Sequence, residues 1–180
     1  MIQVAQIGVG YWGPNLLRNL IASKRCKVTT VVDLSPERQD YVRGLYPAVK
    51  VTDRVDEVLH DPAIQAVIIA TPVATHFDLA MRALSEGKHI LVEKPIARSV
   101  AEVTEIGRLA NEKKLVAIVG HTFLFNSAVR YVKKLIDSGE LGDIRYIYSQ
   151  RLNLGRIRSD VNALWNFAPH DVSIIQYWLD

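Results

Sequence analysis

The 180-residue chain holds a single cysteine, Cys26, so no disulfide can form within it, and a reducing, cytoplasmic compartment is expected. No Lys or Arg precedes the first apolar stretch, so the N-terminus does not read as a signal peptide. No apolar run approaches the ~20 residues that span a bilayer; AVIIATPVA is stopped by polar residues at both ends. Charge of one sign is also scarce. Lys and Arg number 22 against 19 Asp and Glu, interleaved, for a net charge of +3, and that leaves no broad nucleic-acid footprint. No Cys, His and carboxylate grouping has metal-ligand spacing, so no metal is expected. Repeats and low-complexity segments are missing as well.

What is present is alternation. IQVAQIGV, KVTTVVD (27–33), QAVIIAT (65–71), HILVE (89–93) and LVAIVG (115–120) are short runs rich in Val and Ile. Nearly continuous apolar character of this kind fits strands covered on both faces. Amphipathic segments lie between them. One runs from Gly13 to Ser23. A second, from Ser35 to Leu45, opens on Ser-Pro-Glu, and a third runs from His76 to Gly87. The fourth, Ser99 to Lys114, has Ser99 and Glu102 placed as a capping box. Strand and helix alternating in this way predict an α/β fold: a doubly wound parallel sheet with helices on both faces. Past residue 120 the texture changes. NSAVRYVKKLIDSGELG (126–142) predicts a helix closed by Gly139, DIRYIYSQRLNL (143–154) a half-exposed strand, and PHDVSIIQYWLD a final helix. A domain boundary is expected near residue 121, with residues 1–120 forming one domain and 121–180 the start of a second.

The turn GVGYWG carries Gly8, Gly10 and Gly13 in the spacing GxGxxG, after a strand and at the opening of a helix. Gly8 suits a tight turn, Gly10 the approach of a pyrophosphate, and Gly13 close helix–strand packing. Phosphate would sit on the free amides at the positive end of that helix, with Tyr11 and Trp12 beside it. Asp33 follows Gly13 by 20 residues, at the end of the next strand, where a carboxylate binds an adenosine ribose and repels a 2′-phosphate. Leu34 and Ser35 bring no arginine, which favours NAD over NADP; Arg38 is the nearest cation. The alternative for Asp33 is a helix cap before Ser-Pro-Glu.

Ligands of open parallel sheets collect at the carboxyl ends of the strands. Thr71 and Pro72, with His76 four residues on, end the third run. Glu93, Lys94 and Pro95 end the fourth, and His121 follows the fifth. Lys94 could hydrogen-bond a reacting hydroxyl, or be a loop lysine paired with Glu93. His60 and His89 read as structural.

GVGYWG, Asp33, ATPVATH (70–76) and above all VEKPIA (92–97) resemble the Gfo/Idh/MocA oxidoreductases, and the resemblance continues through RYVKKLIDSGELGDI and LWNFAPHDVSI. It implies a Rossmann domain followed by an α+β domain whose open sheet carries substrate and oligomer contacts. It further implies that Lys94 touches both nicotinamide and substrate. His170, from a D-x-x-x-H motif at a helix start, takes the hydroxyl proton. His76 matches a position near the nicotinamide; capping or packing is the other reading. Asn166 stands where the motif has aspartate. It can orient a partner but carries no charge, and it also suits an N-cap ahead of Pro169. Asp171 is the neighbouring carboxylate available to compensate.

Arg145, Arg151, Arg156 and Arg158 could grip the phosphates of a nucleotide-linked sugar or simply face solvent. The wording RLNLGRIRSDVNALWN resembles family members acting on UDP-linked amino sugars, with Arg156, Arg158 and His121 toward the substrate. The expected activity is hydride transfer between a sugar or sugar-nucleotide hydroxyl and NAD, in a homo-oligomer. The alternative is a non-catalytic NAD(H) sensor or scaffold, favoured by Asn166 and by a second domain that reads as incomplete.

Overall fold

The computed structural model describes residues 1–152 and 162–180. The chain divides into two compact units, Met1–Val119 and Gly120–Asp180. In the first, β1 (Ile2–Ile7), β2 (Cys26–Val32), β3 (Lys50–Thr52), β4 (Ala66–Ile69), β5 (His89–Val92) and β6 (Ala117–Val119) form one sheet. Its order is β3-β2-β1-β4-β5-β6, and every pairing is parallel. From β1 the chain winds outward to β2 and β3, then returns to add β4, β5 and β6 on the other side. The carboxyl ends of β1 and β4 therefore flank the point where the winding reverses. That crevice is where open α/β sheets bind ligands.

The sheet has two covered faces, as its continuous Val and Ile runs require. Successive residues of a strand point to opposite sides. Val67 and Ile69 of β4 join Ala5, Ile7 and Val92 in one core, under α4 (His76–Ser85) and α5 (Val100–Glu112). Ile68, between them, joins Val4, Val28 and Val31 in the other, under α1 (Gly13–Ala22) and α2 (Pro36–Leu45). Leu17 is the fully buried anchor of α1, one turn beyond the buried Gly13. Leu17→Ala is expected to cost roughly 2–5 kcal/mol in chemical unfolding through the cavity it leaves.

Serine caps set two of the helix starts. The Ser35 side chain accepts from the Arg38 amide, and the Ser99 side chain accepts from the Glu102 amide at 3.2 Å. The return arm of the second cap differs from the predicted box: the Glu102 carboxylate accepts from the amide of Arg98, at 2.7 Å, one residue before the cap. Two short elements, β3 and α3 (Asp56–Leu59), lie in a stretch whose pattern predicts neither.

The second unit contains α6 (Ser127–Asp137) and α7 (Ala163–Leu179). Asn126 caps α6, and Gly139, at φ +75°, follows its end as expected of a left-handed stop. The Trp178 indole donates to the Val129 carbonyl at 2.9 Å, fastening α7 to α6. The strand predicted over 143–154 is not formed through residue 152, and residues 153 and 154 lie outside the described residues. Alternation alone does not make a strand; a ladder partner does, and among the described residues of this unit there is none. The start of α7 is a second correction. Asn162, not Asn166, is its cap, accepting from the Trp165 amide at 3.0 Å. Asn166 instead donates its own amide to the Asn162 carbonyl, so it is already inside the helix, and Pro169 sits in the interior.

Candidate functional site

The glycine turn leaves β1 at the reversal point. Gly8 has φ +93°, a conformation L side chains rarely adopt, and its amide donates to the Val32 carbonyl of β2 at 2.8 Å. A Cβ on Gly8 would lie 2.7 Å from the Ala70 carbonyl oxygen. A Cβ on Gly13 would lie 2.5 Å from the Gly8 carbonyl oxygen, so α1 can approach the turn only because that carbon is missing. Gly10 is different: a Cβ there meets nothing within 4 Å. Its bare face opens on free space, and the amides of Gly10, Tyr11 and Trp12 donate to no group among the described residues. Tyr11 and Trp12 are exposed beside them. Open space, unspent N–H groups and a helix start together fit the diphosphate of a dinucleotide.

Gln6, which the sequence reading overlooked, holds this turn from beneath. It is fully buried, and its Nε2 donates to the carbonyls of Gly8 (2.9 Å) and Gly13 (2.8 Å). Its signal was available: a lone amide in an otherwise apolar strand, two residues before the first glycine. Asp33 also braces the turn. Its Oδ2 accepts from the Val9 amide at 2.7 Å and its Oδ1 from the Ser35 amide at 2.9 Å. Each oxygen keeps a further lone pair for a ribose hydroxyl. The cap of α2 is Ser35, so Asp33 does not serve as its N-cap.

Across the reversal point, Thr71 and Pro72 follow β4. The Thr75 hydroxyl donates to the Pro72 carbonyl at 2.8 Å, which leaves the Thr71 hydroxyl to donate to Thr75 at 2.7 Å. His76 is 2% exposed. Its two ring nitrogens face the carbonyls of Pro95 and Thr71, each at 2.8 Å, so neither is directed at a ligand. Glu93 and Lys94 follow β5, and the Lys94–Pro95 peptide is cis. The Lys94 amide donates to the Glu93 carboxylate at 3.2 Å.

Burial pushes the Glu93 carboxyl above the usual carboxylate range. The Lys94 amide, the Lys94 charge and the Trp12 indole N–H pull the other way without offsetting it. A carboxyl whose folded pKa is raised stabilises the fold at acid pH, and that stability is lost as pH rises through the folded value. Glu93→Gln is therefore expected to melt higher than the parent near neutral pH, and the difference should shrink in mild acid.

In the second unit, His121 opens a turn at Thr122–Phe125. Asn166 and His170 are four apart on α7, and so lie one above the other on one face. The Phe123 ring meets the His170 ring edge-on, with centroids 4.6 Å apart. Arg151 forks onto Asp171 at 2.8 and 3.0 Å, and its guanidinium lies 5.3 Å from the Phe123 centroid. That pairing, before any other cause, holds the Asp171 carboxyl below its usual range. Asp171 is thus engaged by Arg151, while its charge also acts on His170, the next residue before it. Arg156 and Arg158 lie outside the described residues. Among the described residues, no three His, Cys, Asp or Glu side chains come together to hold a metal ion.

The sequence profile of an oxidoreductase family with an NAD-binding Rossmann fold, Gfo/Idh/MocA, matches residues 2–121. A scyllo-inositol 2-dehydrogenase (NADP(+)) of Bacillus subtilis is 32% identical over 71% of this chain and 35% of its own length. The 4-carboxy-2-hydroxymuconate-6-semialdehyde dehydrogenase of a Sphingobium species is 29% identical over 98% of this chain and 58% of its own. A scyllo-inositol dehydrogenase structure from Lactobacillus casei, with NAD(H) and scyllo-inositol bound, shares the fold. Its TM-score is 0.82 at 21% identity, over 98% of this chain and 56% of that one. The chain thus spans little more than half, or less, of the length of these relatives. With a glycine turn, a strand-end aspartate and a Glu-Lys-Pro loop all at one end of the sheet, the chain belongs to the Gfo/Idh/MocA oxidoreductase family and carries its NAD-binding Rossmann fold.

Proposed function

We propose that the protein is an NAD-dependent dehydrogenase that moves a hydride between a carbon bearing a hydroxyl, on a sugar or cyclitol, and nicotinamide. The observation that carries this reading is the open face of Gly10 above unspent amides, with Lys94 two strands over at the same end of the sheet. Gly10 to Gly13 would hold the diphosphate, Asp33 the adenosine ribose, and Thr71, Pro72 and Glu93 would line the nicotinamide end. Bound NAD would supply the hydride-accepting carbon. The protein supplies placement and proton movement. Lys94 Nζ donates to the substrate hydroxyl oxygen and fixes its direction. His170 accepts the hydroxyl proton, and Asn166, one turn before it, orients the imidazole without adding charge. His121 lies toward the substrate.

A nucleotide-linked amino sugar is the finer reading, resting on Arg156 and Arg158 as phosphate ligands. Incubation with NAD and each of scyllo-inositol, myo-inositol and UDP-N-acetylglucosamine tests both levels. NADH formed with any of them supports the dehydrogenase, and a thermal shift with the UDP-sugar alone supports the finer reading. Dinucleotide binding with no NADH from any hydroxyl compound would favour a non-catalytic NAD(H) sensor, a reading that the uncharged Asn166 and the Arg151-bound Asp171 give a physical basis. Asn166→Asp is expected to raise the oxidation rate by stabilising an imidazolium on His170. Equal rates would mean that the site never needed the charge.

A further inference from the structure

His76 matches the family's pattern but does nothing in the mechanism above. It is buried, at the first position of α4, and its ring bridges the loop at Thr71, five residues before it, and the loop at Pro95, 19 residues after it. Nε2 faces the Thr71 carbonyl at the end of β4, and Nδ1 faces the Pro95 carbonyl just after Lys94, both at 2.8 Å. Both partners are acceptors. Whichever ring nitrogen carries the single proton of a neutral imidazole, an N–H···O=C bond forms to one loop; a ring protonated at both holds the two together.

We propose that His76 is a positioning residue. It fixes the Lys94 loop to the Thr71 loop through main-chain carbonyls, and thereby sets where the Lys94 ammonium stands relative to the bound nicotinamide. The role of Lys94 rests on the function proposed above; the loop coupling does not. His76 itself touches neither substrate nor cofactor, because its ring nitrogens are both turned to carbonyls.

Two substitutions separate the arms. Asparagine places its amide nitrogen close to where Nδ1 stood, so His76→Asn keeps the Pro95 arm and loses the Thr71 arm. Glutamine reaches to the Nε2 position, so His76→Gln does the reverse. Amide hydrogen exchange, followed by mass spectrometry on peptides covering 71–75 and 93–98, reads each arm. His76→Asn should speed exchange about tenfold in 71–75 and leave 93–98 near the parent rate, and His76→Gln should give the opposite pattern. NAD titrated into the parent and both variants by calorimetry should give dissociation constants within about threefold, since the diphosphate and adenosine contacts lie elsewhere.

Parent-like exchange in both loops of both variants would overturn the proposal. So would a uniform rise across the whole of Met1–Val119, since His76 would then merely support the core. The calorimetry separates the two readings: a parent that binds no pyridine nucleotide sinks the proposed function, whereas the exchange pattern decides the coupling by itself.

Discussion

Gly13→Ala is expected to abolish measurable dinucleotide binding and to destabilise the first unit. The added carbon would stand 2.5 Å from the Gly8 carbonyl oxygen and 3.1 Å from Gln6 Nε2. The first neighbour is backbone and cannot swing away, so α1 must retreat or the turn must open. Overpacking of this kind costs about 1–3 kcal/mol of stability. Opening the turn also scatters the amides of Gly10, Tyr11 and Trp12. Hydrogen bonds to a charged group are worth about 1.5–3 kcal/mol each. Losing two of them lowers affinity at least about 100-fold, at 1.4 kcal/mol per decade. Gly10→Ala is the control that separates fold from site. Its methyl meets nothing in the protein, so unfolding should change by under about 1 kcal/mol. NAD affinity should still fall sharply, because the methyl occupies the approach path of the phosphate. Calorimetry and thermal melts on both variants check the pair. Full NAD affinity in Gly13→Ala would mean that the turn is not the phosphate cradle.

Lys94→Ala is the second large effect, and it should fall on turnover alone. The lysine follows β5, away from the diphosphate turn and the Asp33 carboxylate, so NAD affinity should stay within a few-fold of the parent. Losing one donor aimed at a reacting oxygen costs about 10²–10³-fold in kcat, and a loss of that size is expected in NADH formation with the responsive substrate. The charge alone is not enough, since the ammonium must stand at the hydroxyl; Lys94→Arg, a bulkier planar cation, should recover little. Parent-like turnover in Lys94→Ala would remove the lysine from the mechanism.

The parts of this architecture that could be read from sequence are those fixed by local chemistry. A glycine at positive φ, a serine one residue before a helix and a Val/Ile run buried on both faces each leave a residue-level mark. Gly8, Ser35, Ser99 and β4 show those marks. The glycines, Asp33 and Glu93-Lys94-Pro95 stand at the strand ends where the parallel topology puts them. Missed features depend on what lies far away in sequence. β3 is three residues long and exists because β2 offers it a ladder, through pairs such as Val31 with Val51. Gln6 gains its meaning from two glycine carbonyls, one of them seven residues on. Ser35 and Asn162 each claimed a cap that another polar residue nearby could also have filled. The 143–154 alternation looked like a strand because period alone cannot supply a partner. Asp171 likewise has a partner that spacing does not reveal: Arg151, 20 residues earlier, forks onto it.

Titration of the folded protein with NAD, NADH, NADP and NADPH by calorimetry tests the central claim most directly. Saturable heat with NAD or NADH, and at least tenfold weaker binding of the 2′-phosphorylated pair, is the expected outcome, because in the proposed reading the Asp33 carboxylate faces the adenosine ribose and repels a 2′-phosphate. Flat traces with all four on well-folded material would contradict it.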